Sequence, residues 1–373
     1  MFDFEEFKQW EGVGDGIMLI KMVRRVIGVL LILALTCISL VPVANAGTAQ
    51  ESNVGKRLWG QDRYQTAKAI AEEYNGGTTQ NVVFAIGYGF ADALASSILA
   101  NKLDAPVLLV DATAADSVEA FDYVQNHLEK NGHIYLIGGT GIIKADFWQK
   151  LKGLGFPDFQ ISQIGGLDRY DTAVMLAEKE NIPVGTPVVI VNGGDYREAL
   201  TVSSFAAYNG WPMLLTNSDY LPDSVASYLN TVRPSRIYLI GARDSINANV
   251  ESQLSQYGTV KRLAGNTLQE TEEVILKNFA MNATSVYIAS GNDYADALAG
   301  AALAAKTGSP IVLVDPKQST LPTGISDYLS QLGSPKVVTF GGPGAVPQNL
   351  TDNIEDILNT GVNSNDLIIT TIE

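Results

Sequence analysis

"GQDRYQTA" runs from Gly60 to Ala67, and "GLDRYDTA" runs from Gly166 to Ala173. An octet holding Asp, Arg, Tyr and Thr at fixed offsets, written twice about a hundred residues apart, points to duplication. The matching continues downstream. Val82–Asp111 reads "VVFAIGYGFADALASSILANKLDAPVLLVD" and Val188–Thr216 reads "VVIVNGGDYREALTVSSFAAYNGWPMLLT". A third version, "VYIASGNDYADALAGAALAAKTGSPIVLVD", occupies Val286–Asp315. Each then closes on a glycine-rich run: "IYLIGGTGII", "IYLIGARDSI" and "VVTFGGPGAV". Three units follow, at residues 54–155, 159–257 and 258–358, with a short tail at 359–373. The period is too long for a solenoid and fits tandem small domains.

Within each unit, apolar runs of strand length alternate with helix-like stretches. The first unit predicts strands near Lys56–Trp59, Val82–Ile86, Val107–Val110 and Ile134–Ile137. Between them lie helices near Thr66–Tyr74, Ala91–Asn101, Asp116–Glu129 and Lys144–Lys152, with Asp116 as a helix cap. Continuous Val/Ile/Leu runs indicate strands buried on both faces, and the alternation implies a parallel sheet with helices on both sides. Pro106, Pro212 and Pro310 fall just before the third strand of each unit, where a missing N–H is tolerated. The fold class is α/β, in three copies.

The 373-residue chain is acidic, with net charge −15. Nucleic acid is a poor partner for it, because phosphate binding needs clustered Lys and Arg. The first 46 residues differ in kind. Arg24 and Arg25, the apolar run Val26–Leu40 and the Ala44-Asn45-Ala46 ending form a secretory signal peptide at 22–46. Residues 1–21 match no part of such a signal and read as an extension before a start at Met22. Cleavage would remove four basic and five acidic residues, changing the net charge from −15 to −14, together with Cys37, the only cysteine. The expectation is export to the cell surface, without disulfides, thiol chemistry or a membrane span after cleavage.

These residues resemble the cell-wall-binding repeat 2 family, whose pattern is an R-x-x-G-x-D-R-Y-x-T-A opening, a D-A-L helix start, a P-x-L-L strand and a late G-G. "RLWGQDRYQTA" (Arg57–Ala67) fits closely, and "QIGGLDRYDTA" (Gln163–Ala173) lacks only the first Arg. "RLAGNTLQETE" (Arg262–Glu272) keeps Arg262, the glycine and Thr271, but Thr267, Leu268 and Gln269 replace Asp-Arg-Tyr. The resemblance implies three Rossmann-like domains packed about a pseudo-threefold axis. It also implies a surface protein of Gram-positive bacteria, held non-covalently to an anionic cell-wall glycopolymer, with other wall proteins as further partners.

The octet is the leading candidate site. Arg63 and Arg169 carry planar forks suited to phosphate or carboxylate, and Tyr64 and Tyr170 offer rings for a sugar face. Thr66 and Thr172 add hydroxyls, and Asp62 and Asp168 would orient the arginines or bond to sugar hydroxyls. The competing reading makes the octet a helix cap plus an interdomain ion pair, with Asp92, Glu198 or Asp296 as the acid. Those three acids open the D-A-L helices, where a carboxylate favours the helix N-terminus. Phe90, Tyr196 and Tyr294 align at the carboxyl ends of strands, either as a sugar-stacking platform or as packing between domains. The "GGTG" at Gly138–Gly141 lacks the dinucleotide spacing and reads as a tight turn. With only His127 and His133, both in the first unit, and no hydrolase motif, no enzyme, cofactor or metal is expected. A peptidoglycan hydrolase or autolysin modulator, and a self-assembling surface-layer component, are the alternatives.

Overall fold

A computed structural model describes residues 55–279, 281 and 283–366, all within one unit that spans Asn53–Glu373. The extension at 1–21 and the signal peptide at 22–46 lie outside the described residues. From the N-terminal side come β1 (Lys56–Leu58), α1 (Arg63–Asn75), β2 (Thr79–Ile86), α2 (Phe90–Leu94), α3 (Ser96–Lys102), β3 (Val107–Val110), α4 (Val118–His127), β4 (Leu128–Ile137) and α5 (Ala145–Gly153). The second passage holds β5 (Ile161–Ile164), α6 (Arg169–Glu180), β6 (Val188–Asn192), α7 (Arg197–Asn209), β7 (Met213–Thr216), α8 (Asp223–Val232), β8 (Arg236–Ile240) and α9 (Ala248–Leu254). The third holds β9 (Thr259–Leu263), α10 (Leu268–Asn278), β10 (Ser285–Ser290), α11 (Ala295–Lys306), β11 (Ile311–Val314), α12 (Thr323–Ser330), β12 (Lys336–Phe340) and α13 (Gln348–Asp366). The tail expected from Asn359 thus begins as a continuation of the last helix.

Three four-stranded parallel sheets result, ordered β3-β2-β4-β5, β7-β6-β8-β9 and β11-β10-β12-β1. The expected class and parallel sense are observed. The membership of the edge strands is not the one read from sequence. Lys56–Leu58 leaves the first repeat and pairs with Val338–Phe340 of the third. Likewise β5 completes the first sheet through Ile134↔Ile161, and β9 completes the second through Ile237↔Val260. Each sheet takes its fourth strand from the repeat that follows, and β1 closes the ring.

The prolines stand where expected, and their carbonyls do the same work three times. Pro106 O, Pro212 O and Pro310 O accept from Val83 N, Val189 N and Tyr287 N at 3.0, 2.9 and 3.0 Å. The helix expected over Ala91–Asn101 is broken at Ala95 into α2 and α3. At the break the buried Ser96 hydroxyl donates to Ala93 O at 2.5 Å, competing with the helical ladder. Asp116 does not cap α4: the N-cap is Ser117, and the Asp116 carboxylate accepts from the Thr113 hydroxyl at 2.6 Å.

Helix α3, which follows the D-A-L turn of the first repeat, and the D-A-L helices α7 and α11 pack pairwise on one another at the centre, giving the ring a pseudo-threefold axis. Small side chains permit this approach. Gly300 in α11 lies so near its own sheet that an added Cβ would stand 2.1 Å from Phe340 Cε2. One core runs through all three repeats, and separate clusters lie under the outer helices of the first and second.

Candidate functional site

The octet turns join the lent edge strands β1, β5 and β9 to α1, α6 and α10. Asp62 Oδ1 accepts from Tyr64 N and Gln65 N at 2.9 and 2.8 Å, and Asp168 Oδ1 repeats this with Tyr170 N and Asp171 N at 2.8 and 2.9 Å. Both aspartates are N-caps, offsetting backbone donors that the first helical turn leaves unpaired. In the third copy Thr267 caps instead, accepting from Glu270 N at 3.1 Å. The threonine is a clip in every copy: Thr66, Thr172 and Thr271 accept from Gly60 N, Gly166 N and Gly265 N at 3.1, 3.1 and 2.9 Å. All three threonines are buried, so their hydroxyls shape the turn.

The arginines differ. Arg63 Nη1 donates to Gly87 O at 2.5 Å and to Tyr294 OH at 3.2 Å, and its Nη2 reaches Asp293 Oδ2 of the third repeat at 3.2 Å. Its guanidinium also lies 5.5 Å from the Tyr294 ring centroid. Asp293, rather than Asp92, Glu198 or Asp296, is therefore the acid that pairs with an octet arginine. Arg169 Nη1 donates to Gly193 O at 2.5 Å and its Cζ lies 5.7 Å from the Phe90 ring centroid, across the repeat boundary. It makes no ion pair with a described residue and is exposed. Tyr64 and Tyr170 are half-buried, each seated over the glycine that ends a central strand.

Phe90, Tyr196 and Tyr294 meet. Their centroids are 5.5, 5.9 and 5.3 Å apart in the pairs Phe90–Tyr196, Phe90–Tyr294 and Tyr196–Tyr294, one ring from each repeat. The tilted and edge-on angles suit aromatic quadrupoles. Tyr196 OH donates to Asn292 O at 3.1 Å and Tyr294 OH to Gly87 O at 3.1 Å, so both hydroxyls also bridge repeats. With faces and edges turned on one another, the three half-buried rings close together where the repeats meet; a broad stacking platform would need them side by side.

Asp92, Glu198 and Asp296 sit in the first turns of their helices without capping them. They lie instead beneath the late glycine turn of their own repeat. A Cβ on Gly138, Gly241 or Gly341 would fall 3.6, 2.4 or 2.3 Å from Asp92 Oδ2, Glu198 Oε2 or Asp296 Oδ2. These glycines also hold φ of +130°, +115° and +99°, which disfavours a side chain at all three, and at Gly241 and Gly341 the carboxylate excludes one as well. Burial raises all three carboxyls, Asp296 to about 6, while Arg169 and Arg63 act in the opposite sense on Asp92 and Asp296 across the boundary.

The opening arginine of the pattern, which sequence reading left without a role, staples the same turn. Arg57 Nη1 donates to Gly341 O at 2.8 Å and Arg262 Nη1 to Gly241 O at 2.6 Å. Gln163, where the pattern expects arginine, donates through Nε2 to Gly138 O at 2.9 Å. Each staple links a lent edge strand to the sheet that receives it. The two histidines are elsewhere: His127 stacks on Tyr123 at 4.6 Å, and His133 Nε2 lies 2.8 Å from Ser162 Oγ. No described carboxylate bonds to the other ring nitrogen of His133, which a hydrolytic triad would require.

The chain matches the family described as Cell wall binding domain 2 (CWB2) at residues 57–147, 163–251 and 262–351. It is 30% identical over 311 residues to the "Amidase enhancer" of Bacillus subtilis (strain 168), across 83% of this chain and 41% of that protein. It is 28% identical over 309 residues to "N-acetylmuramoyl-L-alanine amidase LytC" of the same organism, across 83% of this chain and 60% of that protein. Two solved structures share the fold: Cwp6 and Cwp8 from Clostridium difficile, each with TM-score 0.72 and 24% identity. They cover 81% and 82% of this chain and 47% and 51% of their own. The chain thus spans about half the length of the proteins it matches.

Proposed function

Because this chain belongs to the Cell wall binding domain 2 family, we propose that it is exported and attaches non-covalently to an anionic glycopolymer of the wall, binding it without cleaving it. The observation that carries the site is Arg169. It is the octet arginine whose fork is exposed and free of an acid partner among the described residues, and it stands beside the aromatic trio where the repeats meet. A guanidinium in that state has donors left for a phosphate or carboxylate. Arg63, tied to Asp293 and to Tyr294, contributes mainly to the joint between repeats. For a chain this acidic, a local cation and repeated weak contacts along one polymer supply attachment that overall charge would oppose.

Sedimentation of the purified chain with cell walls, before and after selective extraction of the anionic polymer, tests the reading. Binding lost on extraction supports it; binding that survives points to peptidoglycan or a wall protein. A second reading, association with a wall amidase, is favoured by the two Bacillus relatives, an amidase and an amidase enhancer. Lysis of walls by the chain alone, in a zymogram, would overturn the non-catalytic assignment.

A further inference from the structure

In the first two repeats the octet tyrosine fills the space over the glycine that ends the central strand. A Cβ on Gly87 would meet Tyr64 Cε1 at 2.6 Å, and one on Gly193 would meet Tyr170 Cε1 at 2.9 Å. In the third repeat Leu268 and Gln269 take the places of arginine and tyrosine. A Cβ on Gly291 would meet only Leu313 Cβ at 3.5 Å and Val314 O at 3.7 Å. A cavity of about 260 Å³ opens here between the second and third repeats, bordered by Arg197, Glu198, Leu268, Gln269, Glu272 and Gly291. It lies just below the usual range of ligand pockets, roughly 300–1,000 Å³, and suits a single small unit.

One further change marks the third copy. Glu272 stands where the first two repeats carry Ala67 and Ala173. Its side chain borders the cavity although the residue is only 6% exposed. Leu313 N donates to Oε1 at 2.6 Å, and no described side chain donates to Oε2. Burial pushes this carboxyl up to about 8, so at neutral pH it holds a proton that it can donate. The Gly291 carbonyl, whose counterparts at Gly87 and Gly193 accept from arginine, receives no described side-chain donor. Arg197, also at the wall, is already met by Asp195 through Nε at 3.0 and 3.1 Å. Beside the polar side chains of Thr201, Asn292, Asp315 and Gln318, the lining offers a donor at Glu272, a carbonyl acceptor at Gly291 and, at Leu268, Leu313 and Leu321, apolar surface. An anion there would face the Asp315 and Glu198 carboxyls, with Arg197 already held by Asp195.

We propose that this cavity is a subsite for an uncharged N-acetylated hexosamine unit, recognised through an acetamido group that meets both the Gly291 carbonyl and the Glu272 carboxyl. An acetamido group donates, accepts and carries a methyl, which matches the three features of the lining. The choice of a sugar rests on the wall-polymer reading above.

Isothermal titration of the purified chain with free N-acetylglucosamine, N-acetylgalactosamine, glucose and glucosamine tests the proposal. At least one N-acetylated sugar is expected to bind saturably, with a dissociation constant on the order of millimolar, and the other two sugars at least about tenfold more weakly. Glu272→Ala restores the alanine of the other repeats and should lower affinity by about tenfold or more. Gln269→Tyr installs the ring that fills the space in the other copies and should abolish binding, with an unchanged circular dichroism melt. Three results would overturn the subsite: no saturation by either N-acetylated sugar at about 50 mM, equal binding of glucose or glucosamine, or undiminished binding by a folded Gln269→Tyr variant. Failure of the broader wall-polymer reading would show separately, as unchanged sedimentation of the wild-type chain on extracted walls.

Discussion

Arg63 Nη2 lies 3.2 Å from Asp293 Oδ2, while Arg169, at the same place in the next repeat, has no acid to pair with among the described residues. The first and third repeats are thus joined by an ion pair that the first and second lack. Arg63→Ala also removes the bonds to Gly87 O and Tyr294 OH, and should cost about 1–2 kcal/mol of stability by urea denaturation. Asp293→Ala breaks a partly exposed pair and also the bond from Ala295 N to Asp293 Oδ1, and should cost about 1 kcal/mol.

Wall attachment should divide the other way. Arg169→Ala removes the bond to Gly193 O and should cost about 1 kcal/mol of stability, leaving the chain folded. In sedimentation on intact walls it should weaken binding by about tenfold, the value of one charge-assisted contact. Equal binding by wild type and a folded Arg169→Ala variant would remove this residue from the site.

The edge strands make a prediction about the ring. Arg57 donates to Gly341 O, and its NH2 group also reaches Gln348 Oε1 at 3.3 Å and Thr351 Oγ1 at 3.4 Å. Arg57→Ala should lower stability by about 1–3 kcal/mol. Hydrogen exchange should show the loss first in β12, whose edge β1 covers. Uniform loss of protection over all three sheets would mean the repeats unfold as one.

Tight packing gives a test at the axis. Phe340 is fully buried, so Gly300→Ala forces its ring or α11 to move. A cost of about 1–3 kcal/mol is expected from overpacking, read as a lower thermal midpoint.

Burial of acids sets the pH dependence. Glu180 and Glu272 are each pushed up to about 8, and Glu180 Oε2 has no hydrogen-bond partner among the described residues. Their protonated forms are favoured by folding, so they contribute stability below the unfolded value near 4.5 and lose it as pH rises toward 8. Asp122 and Asp195, lowered by Lys68 and Arg197, act oppositely, losing their contribution only as pH falls through their folded values. The thermal midpoint should therefore fall between pH 5 and pH 8, and Glu180→Gln should flatten that slope.

Much of the fold was legible because its signals are local. Val107–Val110 is buried on both faces and reads as an unbroken apolar run, and Pro106 fixes where it starts. The partner of β1 was not legible, since nothing in Lys56–Leu58 names Val338–Phe340, some 280 residues away. The alignment of Phe90, Tyr196 and Tyr294 could be seen, whereas their convergence depends on how α3, α7 and α11 cross. Gln163 looked like a defect in the pattern; its amide reaches the same carbonyl that arginine reaches elsewhere. Glu272 carried a signal in plain sight, a charge in a column of alanines, but its meaning required the neighbouring loss of tyrosine.

The exchange of edge strands constrains inheritance. A recombination that adds or drops one copy changes how many helices must share the axis, and the lent strands must find new recipients before the product can fold. Within the retained trio, the staples at Arg57, Gln163 and Arg262 hold the copies together independently of the octet arginine. One octet can therefore drift toward new chemistry while its two sisters keep the old.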